Sequence, residues 1–190
     1  MKRLTTSVAA AALLVAVAPV LSAQNTATQE PHHRVVLYTN DVRVFDVTLP
    51  PGEATADHSH EHDIVLVAVG SGATRTRRAG ETYRIENTDA QPYRAIEVES
   101  MHPASPAQGE AAFTINDVRL KAGAPATGHT HKGATVVVLV EGAIENSGNG
   151  GESPARLQQP GRWLLITRGQ SHNMEAVGSG DAHLVEIEVR

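Results

Sequence analysis

The chain has 190 residues, no cysteine and a formal net charge of −5. It therefore carries no disulfide framework, thiolate nucleophile or iron–sulfur site, and its interspersed charges lack the basic footprint of a nucleic-acid binder. Two Phe, one Trp and three Tyr leave little stacking surface, whereas ten His stand out.

Met1-Lys2-Arg3 is basic, Val8 to Leu21 is an almost unbroken apolar run, and Ala23 offers a small residue for cleavage. Residues 1–23 read as a secretory signal peptide, so the mature protein is expected to be periplasmic or secreted, with no membrane association after cleavage. The alternative, a membrane anchor, needs about 20 apolar residues, more than this run provides. Residues 24–34 are polar without a period and read as a flexible leader, with His32 and His33 as a solvated pair, the alternative being a metal-binding dyad.

Short strands follow. Val42, Val44 and Asp46 alternate with Arg43, Phe45 and Val47, and Pro50-Pro51-Gly52 is turn chemistry. Ile64 to Val69 and Val136 to Val140 are apolar, β-branched runs closed by glycine, the pattern of strands buried on both faces. No helical period is sustained after the leader, so the expected class is all-β.

The chain then repeats itself. Phe45 to His60 aligns without a gap on Asn116 to His131, an offset of 71 (116 − 45), which places Gly52 on Gly123 and His58 and His60 on His129 and His131. The match resumes at an offset of 89 (172 − 83), with Tyr83 on His172 and Arg94 to Glu99 on His183 to Glu188. The second copy thus holds 18 extra residues (89 − 71), including the turn-like Asn146-Ser147-Gly148-Asn149-Gly150-Gly151, and these read as one added hairpin. The units are a shortened N-terminal one over 35–100, a linker over 101–110 and a C-terminal one over 111–190. Edges left bare by the shorter unit suggest a homodimer.

Each copy carries His-x-His, and alternate residues of a strand share a face. His129 and His131 would present two imidazoles side by side, with His172 a third from another strand. Imidazoles favour a divalent transition metal (Fe, Mn, Ni, Cu or Zn) over hard cations such as Ca, and three of them leave an open coordination position. The alternative is an ordinary polar core, in which each ring needs a hydrogen-bond partner. In the first copy His58, His60 and His62 share parity and Tyr83 occupies the place of His172. These four form a second candidate site, the alternative being a half retained for folding alone. Thr135 and His183 are pocket candidates. Glu97, Glu99, Glu186 and Glu188 read as the solvated face of edge strands, opposite Ile96, Val98, Val185 and Ile187, the alternative being a general acid–base role.

These motifs resemble the cupin superfamily, whose first motif is close to G-x5-H-x-H-x3,4-E-x6-G and second close to G-x5-P-x-G-x2-H-x3-N. Copy two supplies Gly123, His129, His131, Gly142, Pro160, Gly161 and His172; copy one supplies Gly52, His58 and His60. The resemblance implies two tandem cupin-type β-sandwich or jelly-roll units, a bicupin with a degenerate N-terminal copy. The motif carboxylate is missing: Thr135 or Val136 stands at its place in copy two, Ile64 or Val65 in copy one, and Ala176 replaces the Asn. Three His without Glu resembles the sphere of thiol dioxygenases, which use Fe(II), and such a cationic site should draw a small organic anion. The function expected is an exported metal-binding cupin with oxygenase-type activity. The alternative is a non-catalytic small-molecule-binding or structural bicupin without metal.

Overall fold

A computed structural model of the chain describes residues 25–102, 112–148 and 155–190. The expected signal peptide, most of the linker and part of the added turn lie outside them. Among the described residues the structure is β throughout, apart from one 3-10 turn at Ala27–Gln29. No helix among them is long and apolar enough to cross a membrane.

The first half contributes β1 (Asn25–Thr26), β2 (His33–Tyr38), β3 (Val42–Leu49), β4 (His58–Ser59), β5 (Ile64–Ala68), β6 (Thr74–Arg77) and β7 (Tyr93–Ser100). Five of them form an antiparallel sheet in the order β2-β3-β7-β5-β6, while β1 pairs in parallel with β4. A short antiparallel bridge joins His58 to Tyr83, continued by hydrogen bonds from Gly80 N to the His60 carbonyl and from Thr55 N to the Ile85 carbonyl.

The second half contributes β8 (Phe113–Leu120), β9 (Thr127–Thr130), β10 (Thr135–Glu141), β11 (Ile144–Gly148), β12 (Ala155–Leu157), β13 (Trp163–Ile166), β14 (Ser171–Ala176) and β15 (Ala182–Val189). They make two four-stranded antiparallel sheets, β13-β10-β15-β8 and β12-β11-β14-β9. β11 and β12 are the hairpin expected from the 18 extra residues, and they extend the second of these sheets.

Three apolar layers make up the core, and one of them joins the halves. One, around Phe45, Leu49 and Leu66, fills the first half, and one, around Leu139, Ile144, Met174 and Leu184, fills the second. The third lies between the halves: Val44, Val65, Val67, Ile96 and Val98 meet Val136, Val138, Val185 and Ile187. This explains the continuous apolar runs, since Val136 and Val138 face the other half while Val137 and Leu139 face their own interior. Each such side chain, fully buried, stabilises the fold by roughly 1.5–3 kcal/mol. His183 belongs to the middle region. It lies 2.9 Å from Asp117 and so close to Gly72 that a Cβ there would fall 2.4 Å from its ring.

Two expectations need correction. The residues read as a leader form β1, the 3-10 turn and the start of β2, with Ala27, Glu30 and His33 buried. Local polarity suggested solvent, but the pairing of His33 with Val47 across β2 and β3 carries the segment into the sheet. The carboxylates read as solvated are also inside: Glu97, Glu99 and Glu186 are at most 1% exposed. β7 and β15 are central strands, and the middle layer claims their Ile and Val faces. The alternate face is therefore the interior of each half rather than its surface.

Candidate metal centre

In the second half, β9 and β14 are antiparallel neighbours with His129 directly opposite His172. His131 follows at the end of β9, and Glu186 reaches in from β15 in the facing sheet. The four ligand atoms lie within 4.8 Å of one another. The three Nε2 atoms form a triangle: 3.1 Å from His129 to His131, 3.0 Å from His131 to His172 and 3.2 Å from His172 to His129. Glu186 Oε1 caps it, 3.3 Å from His129 and 3.8 and 3.9 Å from His172 and His131. The carboxylate missing from the His-x-His motif is thus present in space, supplied by the last strand.

The outer hydrogen bonds determine where the ring protons sit. His172 Nδ1 is 2.7 Å from the Asn146 side-chain oxygen, which only accepts, so Nδ1 carries the proton. His131 Nδ1 donates likewise to Glu188 Oε2 at 3.0 Å. The backbone amides of Lys132 and Gly133 donate to the other Glu188 oxygen at 3.0 and 2.9 Å and fix that carboxylate in turn. Burial works against its charge, but His131 and these two amides hold its pKa below the usual carboxylate range. Two bare Nε2 lone pairs therefore face each other at 3.0 Å, beside a buried Glu186 oxygen that makes no hydrogen bond.

A divalent ion would resolve that conflict. Ring nitrogens bind at about 2.0–2.1 Å, so two of them at right angles on one ion lie about 3.0 Å apart, the spacing found here. An outward Nδ1–H to a carboxylate or amide oxygen is the usual support for a ligating imidazole. His129 is the open side, its side chain 40% exposed. Burial first, then the neighbouring His129 and His131, push the His172 pKa down to about 4, so the ring is neutral and able to ligate at neutral pH. Following the His172 ring protons by NMR in metal-free protein should give a midpoint near 4; one near 6.5 would contradict this environment. Between those values the unfolded chain binds a proton that the folded site refuses. That group therefore lowers stability as the pH falls from about 6.5 toward 4.

Thr135 is buried but outside the cluster, its hydroxyl donating to the Gly133 carbonyl. His183 faces the other half, away from the centre. Asn146, outside the expected site residues, orients His172. The added hairpin brings it beside His172, and its sequence context showed only a turn.

In the first half His58 and His60 come together as expected, but their third imidazole is His33, not His62. His62 contributes a backbone amide to Glu99. Tyr83 is a hydrogen-bonding partner: its hydroxyl donates to Glu97 Oε1 at 2.9 Å and lies 3.0 Å from His60 Nε2. Burial, then the Glu97 charge, raise its pKa far above the phenol range. Burial opposes the Glu97 charge, but His33 and His60 outweigh it and bring its pKa down to about 2. Burial likewise opposes protonation of His60, and Glu97 and Glu99 overcome it, so its pKa is raised.

No family model and no curated protein matches the chain. Solved structures do match its fold. A cupin 2 conserved barrel domain protein from Leptotrichia buccalis, 11% identical, aligns over 83% of this chain and 88% of its own with a TM-score of 0.52. Salicylate 1,2-dioxygenase from Pseudoaminobacter salicylatoxidans, 14% identical, aligns over 80% and 72% with a TM-score of 0.57. Oxalate decarboxylase from Bacillus subtilis, a protein with Mn(II) centres, is 10% identical and aligns over 78% and 69% with a TM-score of 0.55. The fold is that of the cupin-barrel proteins. Among the described residues this all-β chain holds two histidine clusters, one buried and one open at His129, each of a composition able to hold a metal ion.

Proposed function

We propose that the chain is a metal-dependent bicupin whose C-terminal barrel holds one divalent transition metal through His129, His131, His172 and Glu186. The observation that carries this is the pair of outward Nδ1 donors, which leaves the His131 and His172 lone pairs aimed at each other and at the orphan Glu186 oxygen. A bound ion would supply a Lewis acid and an open coordination position. The four residues hold it, Asn146 and Glu188 orient two of the rings, and the exposed flank at His129 admits a ligand.

One carboxylate on a divalent ion leaves a net charge of +1, so the centre favours a small organic anion. The charge argument is weaker than for three His alone, but its sign is the same. Oxygenase or decarboxylase chemistry on such an anion is the activity to test. Support for the two-unit reading comes from register. Ile64 opposes Arg77 and Glu99 in one sheet as Thr135 opposes Ile166 and Glu188 in the other, each pair related by the offsets 71 and 89. Export rests on the basic start and apolar run of residues 1–23.

Metal-free protein should be loaded with Mn(II), Fe(II) or Zn(II), freed of excess and analysed for metal. One equivalent should be lost in the double variant His131→Ala/His172→Ala. Unchanged metal content in that variant would falsify the site. Oxygen uptake and CO2 release with small carboxylates then separate an enzyme from a binder.

A further inference from the structure

The first half holds a histidine cluster of its own. Its side chains are more deeply buried than those of the second half: His33, His58 and His60 are all at most 5% exposed, and Glu97 is fully buried. Their ring nitrogens lie within 4.8 Å of one another. Glu97 Oε2 stands 3.1 Å from His33 Nε2 and 3.3 Å from His60 Nε2.

Of the three rings only His58 repeats the outward hydrogen bond of the other centre, while His33 Nδ1 and His60 Nδ1 face carboxylates without forming one. His58 Nδ1 is 2.9 Å from the Ala56 carbonyl, an acceptor only, so its proton points outward and its Nε2 lone pair points inward. His60 Nδ1 is directed at Glu99 and His33 Nδ1 at buried Glu30, at 3.4 and 3.5 Å. On the inner side His33 Nε2, His58 Nε2 and Glu97 Oε2 are buried and make no hydrogen bond. A shared cation would partner these three atoms, each costing about 1–3 kcal/mol if left alone, and would replace the Tyr83 hydroxyl, 3.0 Å away, as the partner of His60 Nε2.

We propose that the first half is a second divalent transition-metal centre formed by His33, His58, His60 and Glu97, and that it is a closed one. The position that holds His172 in the second half holds Tyr83 here, and the third imidazole comes instead from the start of β2. A cavity of about 280 Å³ in this half is lined by Tyr83, Arg75, Arg77 and Arg84 but by none of the four ligands. Four protein ligands and no exposed flank are the marks of a structural metal, while an open flank marks a reactive one.

The test uses the full-length protein loaded with Zn(II) and analysed for metal. Wild type should carry two equivalents, and His131→Ala/His172→Ala should keep one. That remaining equivalent should be lost on adding His33→Ala and should leave more slowly under EDTA than the one it outlasted. A folded His131→Ala/His172→Ala protein with no zinc overturns the proposal, and so does one whose zinc survives both His33→Ala and His58→Ala. Should that double variant not fold, Glu186→Gln takes its place with the same expected counts. One equivalent in wild type that only His33→Ala removes would support this centre and sink the C-terminal assignment, so the two failures are distinguishable.

Discussion

Replacing Glu186 by Gln should raise the melting temperature of the metal-free protein and lower that of the loaded one. In the metal-free site Glu186 Oε1 is buried and makes no hydrogen bond, facing the bare His131 and His172 nitrogens, while Oε2 accepts from Asn116 Nδ2 at 3.4 Å. A glutamine amide is neutral, nearly isosteric and can donate to those nitrogens. The relief is about 2 kcal/mol, within the range for an unsatisfied buried group, which is roughly 4–8 °C for a chain of this size. With the ion present the order reverses, because the carboxylate is then a ligand and the charge partner of the cation. Supporting residues around a metal alone change affinity by about 10–100-fold, and loss of a ligand should exceed that. Differential scanning calorimetry with and without saturating metal reads both signs at once. A variant that lowers both melting temperatures equally would make Glu186 a packing residue and nothing more.

The second large effect is expected at Gly133. A Cβ built there would lie 1.8 Å from the Val189 carbonyl oxygen and 2.9 Å from its carbon, both backbone atoms of β15. Neither can turn aside as a side chain would, so Gly133→Ala must push apart the loop and the strand. Overpacking costs typically about 1–3 kcal/mol, and a backbone obstacle places this variant at the upper end, about 3 kcal/mol. The same shift withdraws the Lys132 and Gly133 amides from Glu188 and frees His131 to rotate. Urea melts should show the loss in stability, and metal titration a weaker C-terminal centre. Retention of both would mean that the loop relaxes without disturbing the strand.

The residues that the sequence revealed and those it hid differ in a physical way. His58, His60, His129 and His131 were legible because spacing along one strand encodes a shared face. His172 was legible because a single offset links it to Tyr83. Glu97 and Glu186 were present in plain alternation with Ile and Val, yet the alternation alone does not say which face is wet. That depends on the middle layer between the halves, a contact between strands far apart in the chain. His33 was hidden for a related reason: its neighbours are polar, and only its pairing with Val47 carries it inside. Asn146 lies in a stretch whose glycines and asparagines announce a turn, and no local signal tells that one amide of that stretch will hold His172. The fold class was therefore readable from periodicity, while Glu186 in one ligand set and His33 and Glu97 in the other depended on long-range packing.

The apolar layer shared by the two halves has a consequence for how the protein can change over time. Val44, Val65 and Val98 are covered only because Val136, Val185 and Ile187 lie against them. Neither half can be deleted, even if its chemistry lapses, without exposing a broad oily wall on the survivor. Substitutions that erase ligands are thus tolerated more readily than substitutions that erase the partner. The second histidine cluster is free to drift in metal, in tightness or in purpose while the architecture that houses it is held in place by its neighbour.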